Sequence, residues 1–147
     1  MVDAQHGECL CGNVKAVLSA PVNHVEACHC SMCLRWCGGP LLAIHAPEGS
    51  TVSGDALIVY RSSSIAERGF CSCCGSNVFY RFQNGPELML SAGLFDTSGF
   101  VLSREIFHDR KPAFYEFTGK TEKQTALQST MHWLPVIVWR RICRLFR

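Results

Sequence analysis

Three cysteines at C-x-C-x-x-C spacing, Cys28, Cys30 and Cys33, constrain this chain more than any other stretch, and Cys37, Gly38 and Gly39 follow within six residues. Thiolates are the protein ligands that soft or borderline metals such as Zn²⁺ favour. A short turn-like run lets several of them converge on one ion. Three close thiolates with no obvious fourth partner predict a metal loop with an open coordination position, which is where chemistry can take place.

The chain has ten cysteines in 147 residues, so disulfides and metal sites are the two readings to separate. The first residues, Met1-Val2-Asp3-Ala4-Gln5-His6-Gly7-Glu8, are polar and have no apolar core of a signal peptide. The expectation is a reducing compartment, where clustered cysteines bind metal or act in catalysis, and hence a soluble, cytoplasmic protein. Two further pairs stand apart from the first loop: Cys9-x-Cys11 and Cys71-x-x-Cys74. Four thiolates from two turns complete a closed tetrahedral zinc site that contributes folding free energy. Gly12 and Gly75 follow the pairs directly and relieve the tight turns that aim amide N–H groups at the sulfurs. Cys28, Cys30 and Cys33 remain as a separate set, and Cys37 is the alternative fourth ligand that would close it. Cys73 and Cys143 read as small accessory thiols. His29, between two candidate ligands, is expected to point away from the metal. His6, His24, His45, His108 and His132 have no ligand-like spacing.

The length fits a single domain with a real core. A net charge of +2 gives no electrostatic case for nucleic acid, and Arg140, Arg141, Arg144 and Arg147 exceed that surplus by themselves, so the remainder is net negative. No apolar run approaches the roughly 20 residues of a membrane helix.

Short β-favouring segments recur through the body: 14–19, 22–27, 41–45, 51–54, 57–61, 78–82, 87–93 and 103–108, separated by turns such as Asn84-Gly85-Pro86. With no sustained helical period before residue 120, they predict an all-β domain of packed sheets over 1–120. The tail, 121–147, mixes large apolar residues with arginines and predicts a short amphipathic helix. It would pack on the domain, on a second copy in a homo-oligomer, or on a membrane surface.

In order, Gly7-x-Cys9-x-Cys11-Gly12, Cys28-His29-Cys30-x-x-Cys33, Tyr60-Arg61-Ser62-Ser63, Phe70-Cys71-x-x-Cys74-Gly75-Ser76 and Gly93-x-Phe95-Asp96 resemble the glutathione-dependent formaldehyde-activating enzyme family, which includes centromere protein V. The resemblance covers about Gly7 to Phe117. It implies an Mss4-like fold of stacked antiparallel sheets with two zinc ions. One, at Cys9, Cys11, Cys71 and Cys74, would be structural; the other, at Cys28, Cys30 and Cys33, would be catalytic. The implied activity is carbon–sulfur bond formation and cleavage, a lyase reaction joining glutathione and formaldehyde in S-hydroxymethylglutathione. A three-thiolate zinc is a weakened Lewis acid, which favours thiol binding over carbonyl polarisation. Glutathione carries two carboxylates, for which Arg35 and Arg61 are the candidate partners. Trp36 would wall a pocket or fill the core. Two other readings remain open at this point. One is a non-catalytic zinc-stabilised protein-binding module; the other is a methionine sulfoxide reductase using Cys37, Cys73 or Cys143 as a redox thiol.

Overall fold

The computed structural model of the chain describes residues 4–83 and 85–145, and along the last helix the side chains of residues 136, 137 and 139–145 lie outside that description. The expected turn residue Asn84, the tail's Arg140, Arg141, Arg144 and Arg147, and the thiol of Cys143 therefore lie outside the described residues. The strands are β1 (Gln5–Glu8), β2 (Lys15–Leu18), β3 (His24–Cys28), β4 (Leu41–Ala46), β5 (Thr51–Ser53), β6 (Leu57–Arg61), β7 (Ala66–Cys71), β8 (Asn77–Phe82), β9 (Leu88–Ser91), β10 (Val101–Ile106) and β11 (Glu122–Gln124). Two helices join them, α1 (Ser31–Cys37) and α2 (Ala126–Leu145).

β1, β2 and β5 form a small sheet, and the other strands form a larger one in the order β11-β10-β3-β4-β9-β8-β7-β6. The protein is mainly β, an Mss4-like arrangement of stacked sheets. Pairing is antiparallel except at β10, which runs parallel to both β3 and β11. A parallel neighbour requires a crossover connection, and here about half of the chain, from the metal loop through β9, intervenes between β3 and β10.

The core follows from strand alternation. β4 reads Leu41-Leu42-Ala43-Ile44-His45-Ala46 and buries Leu41, Ala43, Ile44 and Ala46 while Leu42 and His45 face outward. Ile44 and Ala46 join Leu18, Val78, Phe79 and Leu90 in one cluster that includes Cys9 and Cys71. A second cluster gathers Cys28, Cys33, Leu41, Met89 and Ile106, with Trp36 and Trp133 packed against it. Each cluster thus contains one group of cysteines.

Two stretches differ from the sequence expectation. The metal loop is half helix: Cys30 caps α1, Cys33 lies within it, and Gly38 ends it at φ 71° with its N–H donating to Leu34 O. Seven residues are too few for helical periodicity to show in the sequence, and the cap is a cysteine rather than Ser, Thr, Asp or Asn. The approach to Cys71 is the long strand β7, whose Glu67-Arg68-Gly69 carries no alternating apolar signal.

The tail helix begins with a reciprocal cap, in which Gln128 N–H donates to Thr125 Oγ1 at 3.3 Å and Thr125 N–H to Gln128 Oε1 at 2.8 Å. Ser129 and Trp133 turn toward the body, while Leu127, Met131, Leu134 and Val138 are exposed. Among the described residues no helix is long and apolar enough to cross a membrane.

Candidate metal centres

The first pair sits on a turn closed by Gly12 N–H donating to Cys9 O at 2.9 Å, with Gly12 at φ 76°. Val14 N–H points at the Cys9 sulfur at 3.2 Å, and the Asn13 amide donates to the Cys11 sulfur at 3.4 Å. The second pair repeats the device: Gly75, at φ 75°, donates its N–H to Cys71 O at 2.8 Å. Positive φ is cheap only for glycine, which is why each pair needs one directly after it. Ser76 ties the turns together, its hydroxyl accepting from Leu10 N–H at 3.1 Å and lying 3.2 Å from the Cys74 sulfur. That hydroxyl, more than any other contact, pulls the Cys74 thiol down to about 5.

The four sulfurs of Cys9, Cys11, Cys71 and Cys74 all lie within 4.8 Å of one another. Cys9 and Cys11 are 3.6 Å apart and Cys11 and Cys71 3.7 Å, although 60 residues separate the last two. Tetrahedral zinc with Zn–S bonds of about 2.3 Å spaces its sulfurs by roughly 3.8 Å, so this donor set fits the ion in number, type and spacing.

Cys28, Cys30 and Cys33 form a second group within 4.8 Å. Cys28 ends β3, where it pairs with Ile106 and Leu41. The other two come from the cap and first turn of α1. Cys30 is the sulfur that carries charge most readily: hydrogen bonds from the Cys28 and Cys33 thiols bring it to about 2, while those same contacts and burial push Cys28 up. Three thiol donors, one already poised as thiolate, suit a borderline metal and leave room for a fourth ligand. Cys37 stands outside this group, and its sulfur takes a hydrogen bond from the Asn77 amide at 3.6 Å. Burial keeps the Cys37 thiol above its ordinary value.

The three-sulfur group opens onto a cavity of about 580 Å³. Arg68, Tyr80, Phe82, Ile65, Phe107 and Arg110 line it, together with Ser129 and Trp133 of α2. None of the four cysteines of the first group is among the lining residues. Arg35 and Arg61 are exposed and are not among them either; Arg61 bonds the nearby Ser63 carbonyl at 3.4 Å.

The cation beside the three sulfurs is Arg68, only 5% exposed. One end of its guanidinium donates to the Ser62 hydroxyl, and Nη2 lies 3.8 Å from the Cys33 sulfur. It stacks near Trp36 and Tyr80, with centroid distances of 5.4 and 6.0 Å, and its buried Nε has no hydrogen-bond partner. Sequence reasoning passed over it because burial of Arg68 follows from which face of β7 is inward, and only Ala66, two residues before it, hints at that face. Burial keeps the Tyr80 hydroxyl protonated, and the neighbouring thiols reinforce the effect.

His29 turns away from the sulfurs, as expected from its position between two of them. Its ring is fully buried, Nε2 donating to Glu105 Oε2 at 3.1 Å and Nδ1 lying 2.8 Å from the Tyr115 hydroxyl. His108 Nδ1 shares the same carboxylate oxygen at 3.2 Å, and Thr121 donates to the other. Burial holds the His29 ring below its ordinary value, against the pull of Glu105. His29, Glu105 and His108 also lie within 4.8 Å of one another, and with both rings donating to one carboxylate they form a hydrogen-bond network.

Comparison with known proteins gives the family. A Schizosaccharomyces pombe protein named as an uncharacterized lyase is 33% identical over 124 residues, covering 81% of this chain and 89% of that one. A Rhodobacter sphaeroides protein of known crystal structure shares the fold at 24% identity, with a TM-score of 0.50 over 62% of this chain and 87% of the other. A sequence profile for the glutathione-dependent formaldehyde-activating enzyme matches residues 4–116, a span that contains both cysteine groups and ends before α2. On that match and on the yeast relative, the chain belongs to the glutathione-dependent formaldehyde-activating enzyme family.

Proposed function

We propose that this protein is a zinc-dependent carbon–sulfur lyase that interconverts a thiol, glutathione foremost, and a small aldehyde such as formaldehyde with their S-hydroxyalkyl adduct. Cys9, Cys11, Cys71 and Cys74 would hold a structural zinc, and Cys28, Cys30 and Cys33 a catalytic one. The observation that carries this reading is that Cys28, Cys30 and Cys33 lie within 4.8 Å of one another and line a cavity of about 580 Å³. Residues 1–120 would then form the catalytic domain, to which the tail, 121–147, adds the edge strand β11 and one wall of the cavity.

A zinc ion bound by three thiolates supplies a position at which a substrate thiol loses its proton more readily. The chain's own residues do the rest. The Arg68 guanidinium, within reach of the Cys33 sulfur, offsets the negative charge that three thiolates build up in a low-dielectric setting. Arg68 lines the same cavity as the three sulfurs and is better placed than exposed Arg35 or Arg61 to meet a carboxylate or developing oxyanion. Tyr80 keeps its proton and offers a neutral hydroxyl in the same wall. In the forward direction the thiol sulfur bonds to the aldehyde carbon, the C=O π bond opens onto oxygen, and the proton lost by sulfur ends on that oxygen. In reverse the C–S bond breaks and the hydroxyl proton returns to sulfur.

The test pairs metal analysis with exchange spectroscopy. Two zinc per chain, one lost selectively in Cys30→Ser, together with faster exchange of glutathione and formaldehyde with their adduct, is the expected result. One zinc per chain would overturn the two-site assignment. Two zinc without any acceleration would replace the enzyme with a zinc-stabilised binding module.

A further inference from the structure

We infer that the adduct handled at the three-cysteine site carries an apolar group of about aromatic size, seated against a wall supplied by α2. The inference rests on reading that site as a thiol-adduct centre. It names the carbon portion of the substrate, for which formaldehyde offers a single carbon.

A cavity of about 580 Å³ falls in the range that encloses a whole small-molecule ligand. Beyond the sulfurs, its walls are mainly apolar: Met32 and Leu34 of α1, Ile65, Phe82, Phe107 and Trp133. Its cations are Arg68 and Arg110, and no carboxylate is among its lining residues. An anionic thiol therefore finds charge partners at this cavity, while most of the remaining surface is suited to hydrocarbon. A hydroxymethyl group is one carbon bearing a hydroxyl and cannot cover an aromatic wall, whereas a benzyl-sized group removes that wall from water.

The wall is held by specific contacts. Asp109 accepts the Ala126 N–H at 2.6 Å, and the Ser129 hydroxyl, 1% exposed, accepts Phe107 N–H at 3.2 Å. These bonds fix the first turns of α2 over the cavity. Trp133 then comes to lie 5.1 Å from the Phe82 ring and 6.3 Å from the His45 ring. The family match ends at residue 116 and α2 starts at Ala126, so the wall comes from the part of the chain outside that match.

The experiment measures binding of S-benzylglutathione and S-methylglutathione to the full-length, zinc-loaded protein by calorimetry, with turnover assayed separately on glutathione adducts of phenylacetaldehyde and formaldehyde. The expected result is at least tenfold tighter binding of the benzyl thioether. Trp133→Ala should remove at least fivefold of that preference while changing S-methylglutathione binding less than twofold. Trp133→Leu keeps an apolar side chain should the alanine variant fold poorly, and it should retain an intermediate preference. Equal binding of the two thioethers, or binding of neither, overturns the inference whatever the turnover. A benzyl preference with no turnover of either adduct supports the cavity assignment and overturns the lyase reading instead.

Discussion

Arg68 Nη2 lies 3.8 Å from the sulfur of Cys33, which places a buried cation beside a group of three thiols. A charge-assisted contact of this kind contributes about 1.5–3 kcal/mol. Arg68→Met keeps an unbranched, apolar stem and removes the guanidinium with its charge. We expect at least tenfold weaker zinc binding at Cys28, Cys30 and Cys33, read by competition with a chromophoric chelator. The site at Cys9, Cys11, Cys71 and Cys74 should be unaffected. Arg68→Lys should recover part of the loss, since it restores charge without the planar group near Trp36 and Tyr80. Unchanged affinity in the methionine variant would show that the guanidinium is there for packing.

Cys37 is the sequence's nearest candidate to close the three-cysteine site, and its sulfur is instead beside the Asn77 amide. Cys37→Ser should therefore leave the metal content of the purified protein unchanged, whereas Cys30→Ser should lower it by one ion per chain. Equal losses in the two variants would make Cys37 a ligand.

Glu105 joins His29, His108 and Thr121 through one carboxylate behind the metal loop. Burial pushes this carboxyl up, but hydrogen bonds from Thr121, His108 and His29 outweigh it and leave it below the ordinary value of 4.5. A carboxylate with a lowered folded-state pKa contributes stability that is present above about 4.5 and lost as pH falls through the folded value. Glu105→Gln should cost about 1–3 kcal/mol in urea melts at pH 7. It should also flatten the fall in stability between pH 4.5 and lower values. A variant with the same acid dependence as the parent would assign that dependence to other carboxylates.

Gly54 has φ 140°, and a Cβ built there would lie 2.1 Å from the carbonyl oxygen of Asn13, in the turn that follows the first cysteine pair. Because the clash is with backbone, no rotamer change relieves it. Gly54→Ala should lower stability by about 2–4 kcal/mol, from strain and displacement together. Circular dichroism melts with and without chelator should show the loss concentrated in the zinc-loaded form, since the displaced backbone carries the first pair. A shift under 0.5 kcal/mol would mean that the loop moves aside freely.

How far the sequence can be read depends on the distance over which each constraint acts. Cys9-x-Cys11-Gly12 and Cys71-x-x-Cys74-Gly75 are local: spacing and a positive-φ glycine define each turn within five residues, so both were legible as paired-cysteine turns. Strands such as β4, a short apolar run, and β8, dense in aromatic residues, were legible for the same reason. β7 and α1 were not, because a strand built on Glu67-Arg68-Gly69 and a seven-residue helix capped by cysteine owe their form to neighbours rather than to propensity. The sequence by itself determined the donor chemistry, soft thiolates in closely spaced sets. Only the tertiary structure decided which sets meet and what surrounds them: the approach of Cys11 to Cys71, Arg68 beside Cys33, Asn77 beside Cys37, and Trp133 over the cavity. Those juxtapositions depend on strand order, inward face and helix docking, which are set by burying one continuous core and leave no periodic trace in the residues concerned.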